Sequence, residues 1–124
     1  MSEGAIIHLN KNIREPKMKI KFSHKFTDHT GKEMMNGAEV STLKNISIDC
    51  LMYPTQTEFQ SMGGSEKVKR HDLGVKILNN GDNAELTVEE CSTLKRLIGE
   101  RYLPVVVTQS WALIDGKELP KYGE

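Results

Sequence analysis

Residues 17–26 read Lys-Met-Lys-Ile-Lys-Phe-Ser-His-Lys-Phe, an alternation of polar and largely apolar side chains. Four of the five odd positions hold lysine, namely Lys17, Lys19, Lys21 and Lys25. The even positions are Met18, Ile20, Phe22, His24 and Phe26. Because successive side chains leave a strand on opposite faces, this period predicts a half-buried β-strand with an apolar face and a cationic face.

The residues after this strand predict a β-hairpin. Asp28-His29-Thr30-Gly31-Lys32 favours a turn, since Asp can bond its own backbone and Gly accepts a positive φ angle. A weak return strand is expected over residues 32–35, and Asn36-Gly37 then interrupts the chain.

Apolar residues at helical spacing predict two helices behind this hairpin. The first covers residues 40–53 and stops before Pro54. The second covers residues 65–78, and its inner stripe would comprise Val68, Val75 and Leu78, with Leu73 and Ile77 at the flank. Between the two helices, residues 55–64 are interpreted as a flexible connection.

Two further helices are expected near the C-terminus. Thr87 and Glu90 have the spacing of a capping box, which predicts a helix from residue 87 to a break near residue 102. Its apolar stripe would be Val88, Cys91, Leu94, Leu97 and Ile98. Pro104 suits the first turn of a helix over residues 105–114 that would bury Val106, Val107, Trp111 and Ile114. Residues 105–107 equally suit a short strand, because all three are β-branched.

Together these elements predict an α+β fold with an N-terminal β-hairpin packed on about four short helices. A chain of 124 residues suits one domain, which we expect over residues 17–116. Residues 1–16 would form a flexible arm and residues 117–124 a flexible tail. Met18 is an alternative natural start, because Arg14-Glu15 encoded as AGG-GAA would be a ribosome-binding sequence upstream of it.

Composition favours a soluble cytosolic protein. Seventeen basic residues balance seventeen acidic ones, so no overall field draws the chain onto nucleic acid. Residues 17–32 nevertheless hold five lysines and one acid, whereas eight acids outnumber five bases from residue 82 onward. No apolar run approaches the roughly 20 residues that span a bilayer, and the short apolar stretch Ala5-Ile6-Ile7 is not expected to act as a signal peptide.

The sequence contains no recognisable enzyme or cofactor motif. Cys50 and Cys91 lack the close spacing of metal ligands, so both are predicted to be free core thiols. His24 is expected to be a core histidine. Gly63-Gly64-Ser65 lacks the preceding apolar strand that phosphate-binding loops need. We therefore expect no catalysis, no metal and no cofactor.

Candidate binding residues are the four lysines of residues 17–26 and a group formed by Arg101, Tyr102 and Trp111. The lysines either guard an edge strand against unwanted pairing or bind a protein with an acidic surface. Nucleic acid is a weaker alternative, because Phe22 and Phe26 share the face opposite the lysines. Arg, Tyr and Trp are the usual residues of binding hot spots, although Trp111 also suits the core. An exposed hairpin edge would also allow a homo-oligomer.

Four motifs resemble small, poorly characterised proteins of tailed bacteriophages, over roughly residues 18–115. They are Thr42-Leu43-Lys44-Asn45, Glu66-Lys67-Val68-Lys69-Arg70, Glu85-Leu86-Thr87-Val88-Glu89-Glu90 and Leu94-Lys95-Arg96-Leu97-Ile98-Gly99. The layout of a hairpin followed by helices is similar to the tail assembly chaperones of such phages. That resemblance implies a chaperone or scaffold of morphogenesis, which binds a phage structural protein in the cytoplasm of the bacterial host.

Two alternatives to this assembly role stay open. The protein could inhibit a host bacterial defence or transcription complex, or it could be a nucleic-acid-binding accessory protein. In each case we expect a protein that works by binding, without an enzyme activity and without a membrane partner.

Overall fold

The computed structural model describes residues 17–123. The predicted arm at residues 1–16 lies outside the described residues. At the other end, residues 117–123 carry no helix or strand.

In the described part of the chain, four strands form two small antiparallel sheets. The first joins β1 (Lys17–Lys19) to β4 (Glu85–Thr87), with Met18 opposite Leu86. The second is a hairpin of β2 (Met35–Asn36) and β3 (Glu39–Val40), with Met35 opposite Val40.

The strand predicted over residues 17–26 is shorter than expected, because the chain turns at residues 22–23. Its partner is β4 and not the return strand expected at residues 32–35. The turn at residues 28–32 is confirmed, since the Asp28 amide donates to the Lys32 carbonyl at 2.8 Å and Gly31 has a φ of 88°. Beyond this turn the Met34 amide donates to the Phe26 carbonyl at 2.8 Å, which leaves a hairpin-like pairing in place.

The predicted alternation of buried and exposed side chains continues on both sides of this turn. Three apolar residues at even positions are buried, namely Ile20, Phe22 and Phe26. The lysines at odd positions are all exposed, which are Lys17, Lys19, Lys21 and Lys25. The alternation therefore predicted burial correctly over a stretch that is not one continuous strand.

Residues 17–123 contain five α-helices, which confirms the α+β class with one helix more than expected in this part of the chain. Their bounds are α1 (Leu43–Met52), α2 (Gln56–Ser61), α3 (Gly64–Asn80), α4 (Val88–Arg101) and α5 (Pro104–Asp115), with a 3-10 turn at Gly81–Asn83. The additional helix, α2, lies in the stretch that was interpreted as a flexible connection. The capping box of Thr87 and Glu90 is confirmed at the start of α4.

The core lies between α1, α3, α4 and the N-terminal segment, with α5 packed on α4. Gly74 of α3 is buried against α1, where an added Cβ would lie 2.8 Å from Met52 Cε. The buried face of α3 therefore centres on this glycine and comprises Arg70, Leu73, Gly74 and Ile77. The stripe expected through Val68 and Leu78 was wrong at those two positions, since both are exposed.

Candidate functional site

An open groove of about 650 Å³ lies between α4 and α5. Its apolar lining comes from three elements and comprises Met18, Val88, Cys91, Trp111 and Ile114. Four charged residues also line the groove, namely Lys95, Arg96, Glu100 and Asp115. Val88 was expected in the core, yet it is exposed at the first turn of α4. The groove is therefore lined by both apolar and charged side chains.

Trp111 belongs to α5, and its side chain is held against α4. Its indole Nε1 donates to the Lys95 carbonyl at 3.0 Å. An added Cβ on Gly99 would lie 3.0 Å from Trp111 Cζ2, so the glycine leaves room for the ring. The side chain was expected to be buried, but 40% of Trp111 stays exposed. A rigid aromatic surface is thus presented to the outside.

Ion pairs fix the charged groups around this groove. Lys95 Nζ lies 2.9 Å from Asp115 Oδ2 and 4.7 Å from the centroid of the Trp111 ring. Arg96 Nη1 lies 3.7 Å from Glu100 Oε1. Each cation is therefore paired with a carboxylate, and the groove carries little net charge of its own.

Arg101 and Tyr102 do not line the groove with Trp111. Arg101 Nη1 donates to the carbonyls of Asp49 at 3.2 Å and Tyr53 at 2.9 Å, which satisfies the C-terminal end of α1. Tyr102 is half-buried beside Cys50, and burial raises the pKa of its phenol. These two residues join α4 to α1, so the predicted group of three is divided.

The four lysines also lie apart from the groove lining. Lys17 and Lys19 flank Met18 on β1, and neighbouring residues on a strand point to opposite faces. Lys25 Nζ lies 4.0 Å from Glu33 Oε2, a weak contact between exposed groups. The lysine surface and the Trp111 groove are therefore distinct.

Of the residues that line this groove, only Trp111 had been predicted to bind a partner; Met18, Lys95 and Gly99 are among those that were missed. Lys95 and Gly99 are four residues apart, which places them on one face of α4. Gly99 and Trp111 lie in different helices, so no pattern within either helix could have revealed their contact.

Both cysteines are free and buried, as predicted. Burial raises the pKa of the Cys50 thiol to about 11, and burial also raises the pKa of Cys91. A thiolate is the form that attacks or ligates, so both environments disfavour cysteine chemistry at neutral pH.

Comparison of the chain with protein-family models, curated proteins and solved structures found no match. Within residues 17–123, no three His, Cys, Asp or Glu side chains are arranged as metal ligands. None of the helices described is long and apolar enough to cross a membrane.

Proposed function

We propose that this protein acts by binding another protein through the groove between α4 and α5. The observation that carries the proposal is Trp111, which is fixed by a hydrogen bond at 3.0 Å while 40% of it stays exposed. A side chain that is already ordered loses little conformational freedom when a partner covers it. Trp111 is therefore suited to anchor a partner.

The surroundings of Trp111 match the usual anatomy of a binding surface. Met18 and Val88 provide accessible apolar area in the same groove as the indole. Paired charges at the edge, such as Lys95 with Asp115, favour a defined orientation without a large electrostatic cost. A groove between two helices accepts an apolar side chain or one face of an amphipathic helix.

We further propose that the partner is a phage structural protein, bound in the cytoplasm of the bacterial host during assembly. This version follows from the resemblance to tail assembly chaperones, and such a role requires no catalytic site. The exposed lysines of residues 17–25 form a separate cationic surface, which favours a partner that also carries acidic groups away from the groove. The competing version is a host protein that this chain inhibits.

Affinity capture with matched variants tests this proposal. We expect Trp111→Ala to weaken capture of the partner by about 30-fold, as truncation of a hot spot does. Leu103→Ala is the control, because Leu103 is 65% exposed and lies outside the groove lining. Circular dichroism would show that both variants are folded.

The source of the captured protein separates the two versions. A phage structural protein obtained only from infected cells supports assembly, whereas a host protein obtained from uninfected cells supports inhibition. Equal capture by wild type and Trp111→Ala would overturn the groove as the contact surface.

A further inference from the structure

The short helix α2 packs against one face of α3. We propose that α2 is a resident competitor, which occupies a site for a partner segment carrying a carboxylate followed by an aromatic residue. The inference does not depend on the Trp111 groove, because other residues and other contacts carry it.

Two contacts from α3 hold α2 in place. Arg70 Nη1 donates to Glu58 Oε2 at 3.0 Å. Lys67 Nζ lies 3.9 Å from the centroid of the Phe59 ring. The two cations are three residues apart, so they share one face of α3. A carboxylate and the aromatic residue after it are therefore the groups that this face receives.

The body of α2 adds little to these contacts. It has six residues and none is buried. Pro54 precedes its Thr55 N-cap, and Gly63 and Gly64 follow it, where an added Cβ would meet nothing within 4 Å. The two glycines are not fixed by packing, and glycine has wide backbone freedom. They therefore permit α2 to move as a unit.

Arg70 is the fixed part of the site. It is 6% exposed, and its Nε donates to Glu66 Oε2 at 3.1 Å within α3. While α2 is in place, Glu58 gives the buried Arg70 a second carboxylate partner beside Glu66. A carboxylate from another protein would satisfy it equally well, since the contact with Glu66 is retained.

The space around Arg70 can accommodate a longer segment. Arg70 lines three cavities, of about 510, 420 and 150 Å³. Glu58 contributes to the second cavity and Phe59 to the third. Because α2 residues form part of the wall of the second and third cavities, release of α2 would open both of them beside Arg70.

A labelled peptide with the sequence of residues 55–62, Thr-Gln-Thr-Glu-Phe-Gln-Ser-Met, tests the site by fluorescence anisotropy. The tethered α2 competes at a local concentration of about 1 mM, so wild type should bind the peptide weakly. The full chain with Glu58→Gln and Phe59→Ala should bind it at least about 10-fold more tightly. A control peptide with Gln for Glu and Ala for Phe should not bind either protein.

Amide hydrogen exchange on the wild-type chain supplies a second test that needs no variant. The amides of residues 56–61 should exchange at least about 100-fold faster than those in the middle of α3, since α2 opens without global unfolding. Equal protection of α2 and α3, or peptide binding by the folded double variant that is no tighter than by wild type, would overturn the proposal.

Discussion

Gln109 joins the C-terminal helix to the N-terminal segment through one buried side chain. Its Nε2 donates to the Thr27 carbonyl at 2.7 Å, and its Oε1 accepts from the Thr27 amide at 3.3 Å. The same oxygen lies 3.1 Å from His24 Nε2. The primary amide thus pairs with the Thr27 backbone much as a neighbouring strand would, which accounts for a polar residue at 2% exposure.

Replacing this amide should leave the Thr27 backbone without its partners. We expect Gln109→Leu to lower the free energy of unfolding by about 2 kcal/mol, because unsatisfied polar groups are costly where water is excluded. Urea unfolding followed by circular dichroism measures this change. Thr108→Ala is the control, since Thr108 is exposed. A loss no greater than the control's would contradict a structural role for the Gln109 amide.

Among the elements, α2 and α4 begin with the same capping box but differ in their burial. Thr55 and Glu58 satisfy each other's backbone amides at the start of α2, and Thr87 and Glu90 do so at the start of α4. Four residues of α4 are buried, whereas α2 has none. Loss of the N-cap should therefore lower global stability more at α4 than at α2.

Two matched substitutions measure that difference. Thr87→Ala should lower the free energy of unfolding by about 1 kcal/mol, the usual effect of losing an N-cap. Thr55→Ala should change it by less than about 0.5 kcal/mol, because α2 adds little to the folded core. Equal losses for the two variants would mean that α2 unfolds together with the rest of the chain.

Across the whole molecule, polar contacts distant in sequence connect the N-terminal segment to the helices. The Ser23 amide donates to Asp82 Oδ1 at 2.8 Å, and the Ser23 hydroxyl donates to Oδ2 at 2.7 Å. The hydrogen bond from the Ser23 hydroxyl has the largest effect on the pKa of Asp82 and lowers it. Burial of the carboxylate acts in the opposite direction but is outweighed by the hydrogen bonds. The pKa of Asp82 is thereby held below its ordinary value of 3.8.

This lowered pKa has a defined consequence for acid stability. The stabilisation is fully present above pH 3.8 and is lost as the pH falls through the lower pKa of the folded state. Asp82→Asn should therefore reduce the dependence of unfolding free energy on pH below that value. Urea unfolding at about pH 6 and about pH 3 measures it, with Glu118→Gln as the exposed control. An unchanged acid dependence in Asp82→Asn would contradict this role.

Local patterns predicted local structure in this chain. The alternation through Ile20 and Phe22 predicted which side chains are buried, and Thr87 predicted the start of α4. The pairing of β1 with β4 was not predictable, because a strand of three residues shows no period. The exposure of Val68 was missed for a different reason. Gly74 brings α1 close and sets the buried face of α3, which no pattern within α3 reveals.

Trp111 is the only tryptophan in the chain. Its indole has one side on Gly99 and an exposed side in the groove, so its fluorescence emission depends on whether water or another molecule touches the ring. The protein therefore carries its own fluorophore at the surface proposed for its partner. A titration can be followed by a shift in emission wavelength, without attaching a dye to the chain.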